Sequence, residues 1–280
     1  MRAAFLIPML FPVAAMIALA QAPPSVSAND VVRKVIANEL QADQSDHTHW
    51  MYQEVDKIPA PQKNKTVVET RNGDINYLDA IDGRPLSPQQ RSAEEQRIQH
   101  FINDPDEQRK ARKASSNDDK QSTELFAMLP DAFLFKYAGE EDGNLKLTFQ
   151  PNPDFTSHSS EAYVFHKMDG YVIVNAKENR LVEISGRLTN GVEFLGGLMG
   201  HLDRGGTFDV RREEIAPGHW AITKLKVNMN GKILFFKTID VQQDEVHSHF
   251  KQIPDSTTLA QAQVMAEKQN SPASAVTPGG

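Results

Sequence analysis

Apolar positions in the first part of the chain recur with a helical period and then switch to the period of a strand. In SANDVVRKVIANELQA, which starts at Ser27, Val31, Val32, Ile36 and Leu40 fall near one face, with Ser27 or Asn29 placed to cap the N-terminus. The spacing predicts an amphipathic helix of about four turns. HTHWMYQEVDKI, KTVVETRN and DINYLDAID then carry the β-branched and aromatic content of strands, and Arg71-Asn72-Gly73-Asp74 supplies an Asn-Gly hairpin turn.

Residues 87–121 interrupt the strands with charge and Gln. Ser87-Pro88 and Asp104-Pro105 each read as a cap followed by proline, and the apolar cluster between them is confined to Ile98, Phe101 and Ile102. Two exposed helices inserted between strands are expected, with RKARKASSNDDK as a frayed linker. A short amphipathic helix at STELFAMLPDAF would turn Leu125, Phe126, Met128 and Leu129 to the core.

From there the chain runs through FLFKYAGEE, NLKLTFQP, AYVFHKM, GYVIVNA, RLVEISGRL, VEFLGG, GTFDVRREEI, HWAITKLKVNM and KILFFKTIDV, each followed by a break that contains Gly, Asn, Asp or Pro. Short runs at about ten-residue spacing predict an antiparallel meander, not βαβ units. Val182, Ile184 and Leu188 share one face of their strand while Glu183, Ser185 and Arg187 share the other, as when one face meets water. In KILFFKTIDV, Ile233, Phe235 and Ile239 oppose Leu234 and Phe236, so that strand should be covered on both sides. With a last helix at STTLAQAQVMAE, the pattern predicts an α+β fold: a strongly curved antiparallel sheet wrapped around amphipathic helices, kinked by glycines and bulges.

The ends and the composition narrow the setting. MRAAFLIPMLFPVAAMIALAQAPP has one positive charge, an apolar run and an Ala18-Leu19-Ala20 pattern, the form of a secretory signal peptide cleaved after Ala20. The run is short for a hydrocarbon core of about 30 Å, which disfavours a stable membrane anchor. The chain has no Cys, which excludes disulfides, thiolate metal sites, Cys nucleophiles and lipid attachment at a cysteine. Net charge is −7, and −8 once Arg2 leaves with the signal, which argues against nucleic acid as a partner. A periplasmic or secreted, soluble protein is expected, with a signal peptide over 1–20, one curved-sheet domain over 21–268 and a disordered tail over 269–280.

The densest glycine run, EFLGGLMGHLDRGGTF over 193–208, lies between strand patterns and lacks Gly-Lys-Ser or Gly-Lys-Thr, so it is no phosphate cradle. No Gly-x-Ser-x-Gly elbow is present. The glycines are expected to make a tight connection, with Leu195, Leu198, Met199 and Leu202 forming an apolar flap over a cavity mouth. His47-Thr48-His49 and His247-Ser248-His249 are two His-x-His pairs whose imidazoles could share a metal if the first and last strands were adjacent, though neither has a carboxylate at metal-site spacing. Aromatic and aliphatic residues spread over the strands, including Trp50, Phe135, Phe149, Phe165, Ile184, Phe208, Trp220 and Phe235, are candidates to line an apolar ligand cavity or to fill a plain core.

An exported, Cys-free chain with an amphipathic first helix, a long antiparallel meander and an inserted helical segment resembles the LolA/LolB-like group of periplasmic lipoprotein carriers. The block from PNPDFTSHSSEAYVFHKMDG to KILFFKTID looks like an uncharacterised exported branch near that group. The resemblance implies an incomplete β-barrel whose concave side is closed by helices and holds acyl chains by shape and hydrophobicity, without catalysis or cofactor. The long insertion at 87–121 and the missing lipid-anchoring Cys depart from the acceptor pattern. The expected function is therefore a lipid or lipoprotein carrier whose partner is a lipid or acylated protein. Two alternatives are a metal-dependent hydrolase using the His-x-His pairs, and a structural or sensor module that binds another envelope protein.

Overall fold

The computed structural model describes residues 26–157, 159, 162–194, 200–233 and 237–269, with the side chains of Phe194 and of residues 232–241 outside that description. The predicted signal peptide, the tail from 270, Leu195, Leu198, Met199 and the side chain of Phe235 all lie outside the described residues.

The first helix, α1 (Ala28–Ser45), starts where expected: the Ser27 side chain accepts the Asp30 N–H. Strands β1 (His49–Ile58), β2 (Lys63–Val68), β3 (Ile75–Ile81) and the two-residue β4 (Arg84–Pro85) follow. Helix α2 (Pro88–Asn103) opens with a capping box between Ser87 and Gln90, and α3 (Pro105–Ala132) is capped by Asp104. Next come β5 (Phe133–Glu141), β6 (Asn144–Pro151), a 3₁₀ turn (Ala162–Lys167), β7 (Met168–Asn175) and β8 (Arg180–Leu188). The chain continues through β9 (Val192–Phe194), β10 (Gly200–Leu202), β11 (Thr207–Ala216), β12 (His219–Ile233), β13 (Lys237–Ile253) and α4 (Leu259–Gln269).

Three local expectations change. KILFFKTIDV is not one strand: β12 ends at Ile233 and β13 begins at Lys237, paired antiparallel to it, and the side chains expected to be covered on both sides lie outside the described residues. RKARKASSNDDK and the short helix after it belong to one continuous helix, α3, of 28 residues and roughly 42 Å. Residues 109–124 of this helix are exposed all round. The helix is held near its ends instead: Gln108 donates to the Phe101 and Ile102 carbonyls and Arg112 to the Asn72 carbonyl, while Leu129 and Ala132 are buried in a core. AYVFHKM is a 3₁₀ turn leading into β7 and not a strand, because Ala162, Phe165 and Met168 are buried at a three-residue period.

The sheet is antiparallel and open, ordered β4-β3-β2-β1-β13-β12-β11-β8-β7-β6-β5, with β9 and β10 attached at the side through β12. The fold class is thus α+β, as the patterning implies. First and last long strands are neighbours, so β1 lies between β2 and β13.

Paired residues across antiparallel strands point to the same side, and following the register across the sheet separates its two faces. One face carries Phe149, Val172, Ile184, Phe208, Val227 and, further on, Glu245, Glu54 and Lys65. We call this the inner face; α1 and the end of α3 cover its β5–β8 half in a core with Val35, Phe133 and Leu147. The opposite face is covered at the other end by α2 and α4, which pack Ile98, Leu259 and Ala262 on Met51, Val68 and Ile75. The helices therefore divide between two faces instead of gathering on one concave side. Each face keeps one helix-covered end and one end without a helix core.

Neighbouring strands approach closely at glycines. Gly170 and Gly186 face each other across β7 and β8; a Cβ on Gly170 would lie 2.0 Å from the Ser185 carbonyl oxygen, and one on Gly186 would lie 2.5 Å from the Phe208 ring. The open β5 edge is blocked by α1: the Asn29 amide donates to the Phe133 carbonyl and its oxygen accepts the Phe135 N–H, as a neighbouring strand would.

Candidate binding site on the inner face

Glu39 fixes α1 over the inner face. The carboxylate is fully buried and accepts from Arg180 Nε at 2.9 Å, Arg180 Nη2 at 3.0 Å and the Leu181 N–H at 2.7 Å. Arg212 Nη1 adds a contact at 2.9 Å, and the Arg180 guanidinium lies 5.5 Å from the centre of the Trp220 ring. Sequence reading missed this network. Its signal is that Glu39 follows Val32 by seven residues and Ile36 by three, a charge on the apolar stripe.

Under α1 the inner face is full. Phe133, Phe135 and Phe149 pack as a ring cluster with centroids 4.5–6.3 Å apart, and Phe165 joins at 5.4 Å from Phe133. The residual void, lined by Val35, Ile36, Phe135, Phe149, Val172 and Ile184, measures about 10 Å³, too small for an acyl chain. Of the cavity candidates, Phe135, Phe149 and Phe165 are thus core residues, with Ile184 and Phe208 half-buried against them. Leu202, the flap candidate within the described residues, packs half-buried against the same core. On either side of residues 195–199, which lie outside the described residues, β9 and β10 pair antiparallel, and β10 lies so close on β12 that a Cβ at Gly231 would be 2.1 Å from the His201 carbonyl oxygen.

Beyond the helices the inner face continues across the long strands. One row of facing residues reads Val172, Ile184, Val210, Leu225, Glu245, Asp56 and Lys63 from β7 to β2. The next row passes from Phe208 through Val227 to Gln243. Val210, Leu225 and Val227 are half-buried and belong to neither core, whereas Lys224, Lys226 and Asn228 on the other side of β12 are exposed.

At β13–β1–β2 the same face turns polar. Lys65 Nζ lies 2.7 Å from Glu54 and 2.5 Å from Asp56, and the Glu54, Asp56 and Glu245 oxygens lie within 4.8 Å of one another. His247 Nε2 stands 3.7 Å from Glu54 and 3.6 Å from Glu245, beyond hydrogen-bond reach, and Asp56 Oδ1 is buried without a hydrogen-bond partner. Tyr52 stacks on Phe250 at 5.0 Å and lies 5.2 Å from the His247 ring.

The charges perturb one another. Burial raises the Glu54 carboxyl above its usual range despite Lys65. Pairing with His247 lowers Glu245. Burial opposes charge on His247, but Glu245 and Glu54 outweigh it and raise the imidazole. Burial also raises the Tyr52 hydroxyl, reinforced by the carboxylates around it. Nearby, Glu69 accepts the Trp50 N–H at 2.8 Å and is pushed by burial to about 7.

The two His-x-His pairs do not converge. His49 is opposite Ile253 and His247 opposite Glu54, on different faces and five positions apart along β1, roughly 16 Å. A β-bulge on β13 gives His249 φ +58° and turns it outward, exposed. His47 is exposed in a cleft at the end of α1, where His219 Nδ1 meets Asp46 at 2.9 Å and His49 meets Asp255 at 3.3 Å. Trp50 and Trp220 flank this end, with Trp50 edge-on to His219 at 5.5 Å. A metal held jointly by the four histidines is therefore ruled out. The charged cluster around Glu54 escaped sequence reading because Tyr52, Glu54 and Asp56 at period two look like the wet side of a strand.

No protein-family model matches this chain, no curated protein matches its sequence and no solved structure matches its fold. No helix among the described residues is long and apolar enough to cross a membrane.

Proposed function

We propose that this protein is an exported carrier that holds the apolar chain of a lipid or acylated polypeptide on the open part of its inner face, without catalysis. The observation behind this reading is the half-buried strip of Val210, Leu225 and Val227, continuous with the apolar core yet outside it. The filled interior under α1 moves the expected site from an enclosed cavity to this strip. Each methylene buried there contributes about 0.8 kcal/mol, so a chain of moderate length would bind without polar specificity. The LolA/LolB resemblance and the signal-like N-terminus agree with this assignment. Native mass spectrometry of protein purified from an exporting host should show bound lipid. Protein that is consistently ligand-free, and gains no thermal stability from added lipids, would remove the proposal.

A further inference from the structure

Resting on that reading, we infer that the bound amphiphile carries a cationic, ammonium-type head group, seated beside Glu54, Asp56 and Glu245 where the apolar strip ends. The transition from apolar to charged takes a single strand spacing. Leu225 faces Glu245 directly across β12 and β13, and Glu245 faces Asp56 across β13 and β1. Strands in a sheet are about 4.8 Å apart, so a chain lying over Val210 and Leu225 brings its head to the carboxylates within about 10 Å.

The local charge favours a cation. The half-buried ammonium of Lys65 pairs with Glu54 and Asp56 and not with Glu245, which lies by His247, charged only when protonated, and accepts from the Gln243 amide, while Lys63 across from Asp56 is exposed. Asp56 Oδ1, buried and without a hydrogen-bond partner, is an acceptor that a donor or positive charge would satisfy. Beside the acids lie the Tyr52 and Phe250 rings, stacked at 5.0 Å and half-buried. Carboxylates next to aromatic faces are the recognition chemistry of ammonium groups, since both the charge and the ring quadrupole attract a cation. An anionic head would meet repulsion from the same three acids. A fatty acid or an anionic phospholipid is therefore the disfavoured ligand class.

The test compares decyltrimethylammonium, decanol and decanoate, each titrated into the full chain below its micelle concentration by isothermal calorimetry. The ammonium compound should bind at least tenfold more tightly than decanoate, with decanol between them. In Glu245→Gln/Asp56→Asn the ammonium advantage should shrink to about threefold or less while decanol affinity stays unchanged. Equal affinities for the three compounds in the wild-type chain would overturn the head-group inference and leave chain binding intact. Binding of none would overturn both. The wild-type comparison decides the matter even if the double variant fails to fold.

Discussion

Removing the Glu39 carboxylate should cost the fold more than almost any other single polar substitution. In Glu39→Ala, Arg180 loses two hydrogen bonds, the Leu181 N–H loses its acceptor, and Arg212 loses its shortest ionic contact. The Arg180 side chain is 9 % exposed, so water can restore little of this. Breaking a buried ion pair by removing one partner typically costs about 3–5 kcal/mol. Arg212 retains the Trp220 carbonyl at 3.2 Å and Asp43 at 3.7 Å, which places the expected loss nearer the lower figure, about 3 kcal/mol. Glu39→Leu combined with Arg180→Met should recover most of the loss, because a packed apolar pair avoids stranding a charge. Urea unfolding followed by circular dichroism measures both variants. A loss under about 1 kcal/mol in Glu39→Ala, or a double variant no more stable than the single one, would show that α1 is held by its apolar face alone.

Two further outcomes follow from the geometry. Glu69 sits at about 7 in the folded chain against an ordinary 4.5, so ionising it opposes folding: the stability it allows is complete below pH 4.5 and declines as pH rises through 7. Glu69→Gln, which can still accept the Trp50 N–H, should remove that decline, worth at most about 3 kcal/mol. Melting curves at pH 5 and pH 8 that fall in parallel for wild type and variant would contradict this. Gly170→Ala would push a Cβ against the Ser185 carbonyl and the Gly186 Cα, so about 1–3 kcal/mol should be lost through the strained β7–β8 pairing, seen as a lower urea midpoint. Gly143→Ala, which meets nothing within 4 Å but has φ +77°, carries only the backbone strain and should cost less.

Much of the architecture was legible along the chain. Ser27 or Asn29 marked the start of α1, of which Ser27 is the cap, the two cap-then-Pro pairs marked α2 and α3, and the turn residues separated most of the strands of an antiparallel sheet. Local rules sufficed there because caps, proline and side-chain period act within a few residues. The linker reading failed for a related reason: a polar helix without an apolar face carries no periodic signal, and α3 is anchored at ends that are far apart in sequence. The candidate site was less legible. Phe135 and Phe149 looked the same as ligand-lining residues until the packing of α1 filled the space between them.

By itself, then, the sequence determined most of the secondary elements, the α+β class and the absence of cysteine chemistry, since these depend on composition and on neighbours a few positions away. Only the tertiary structure decided that α1 and α4 cover opposite faces, that His49 and His247 stay apart, and that Glu245 meets Asp56 beside an uncovered apolar strip. Each of those depends on strand order and register. In a sheet a shift of one residue exchanges the two faces, and which strands become neighbours is settled by the packing of the whole chain.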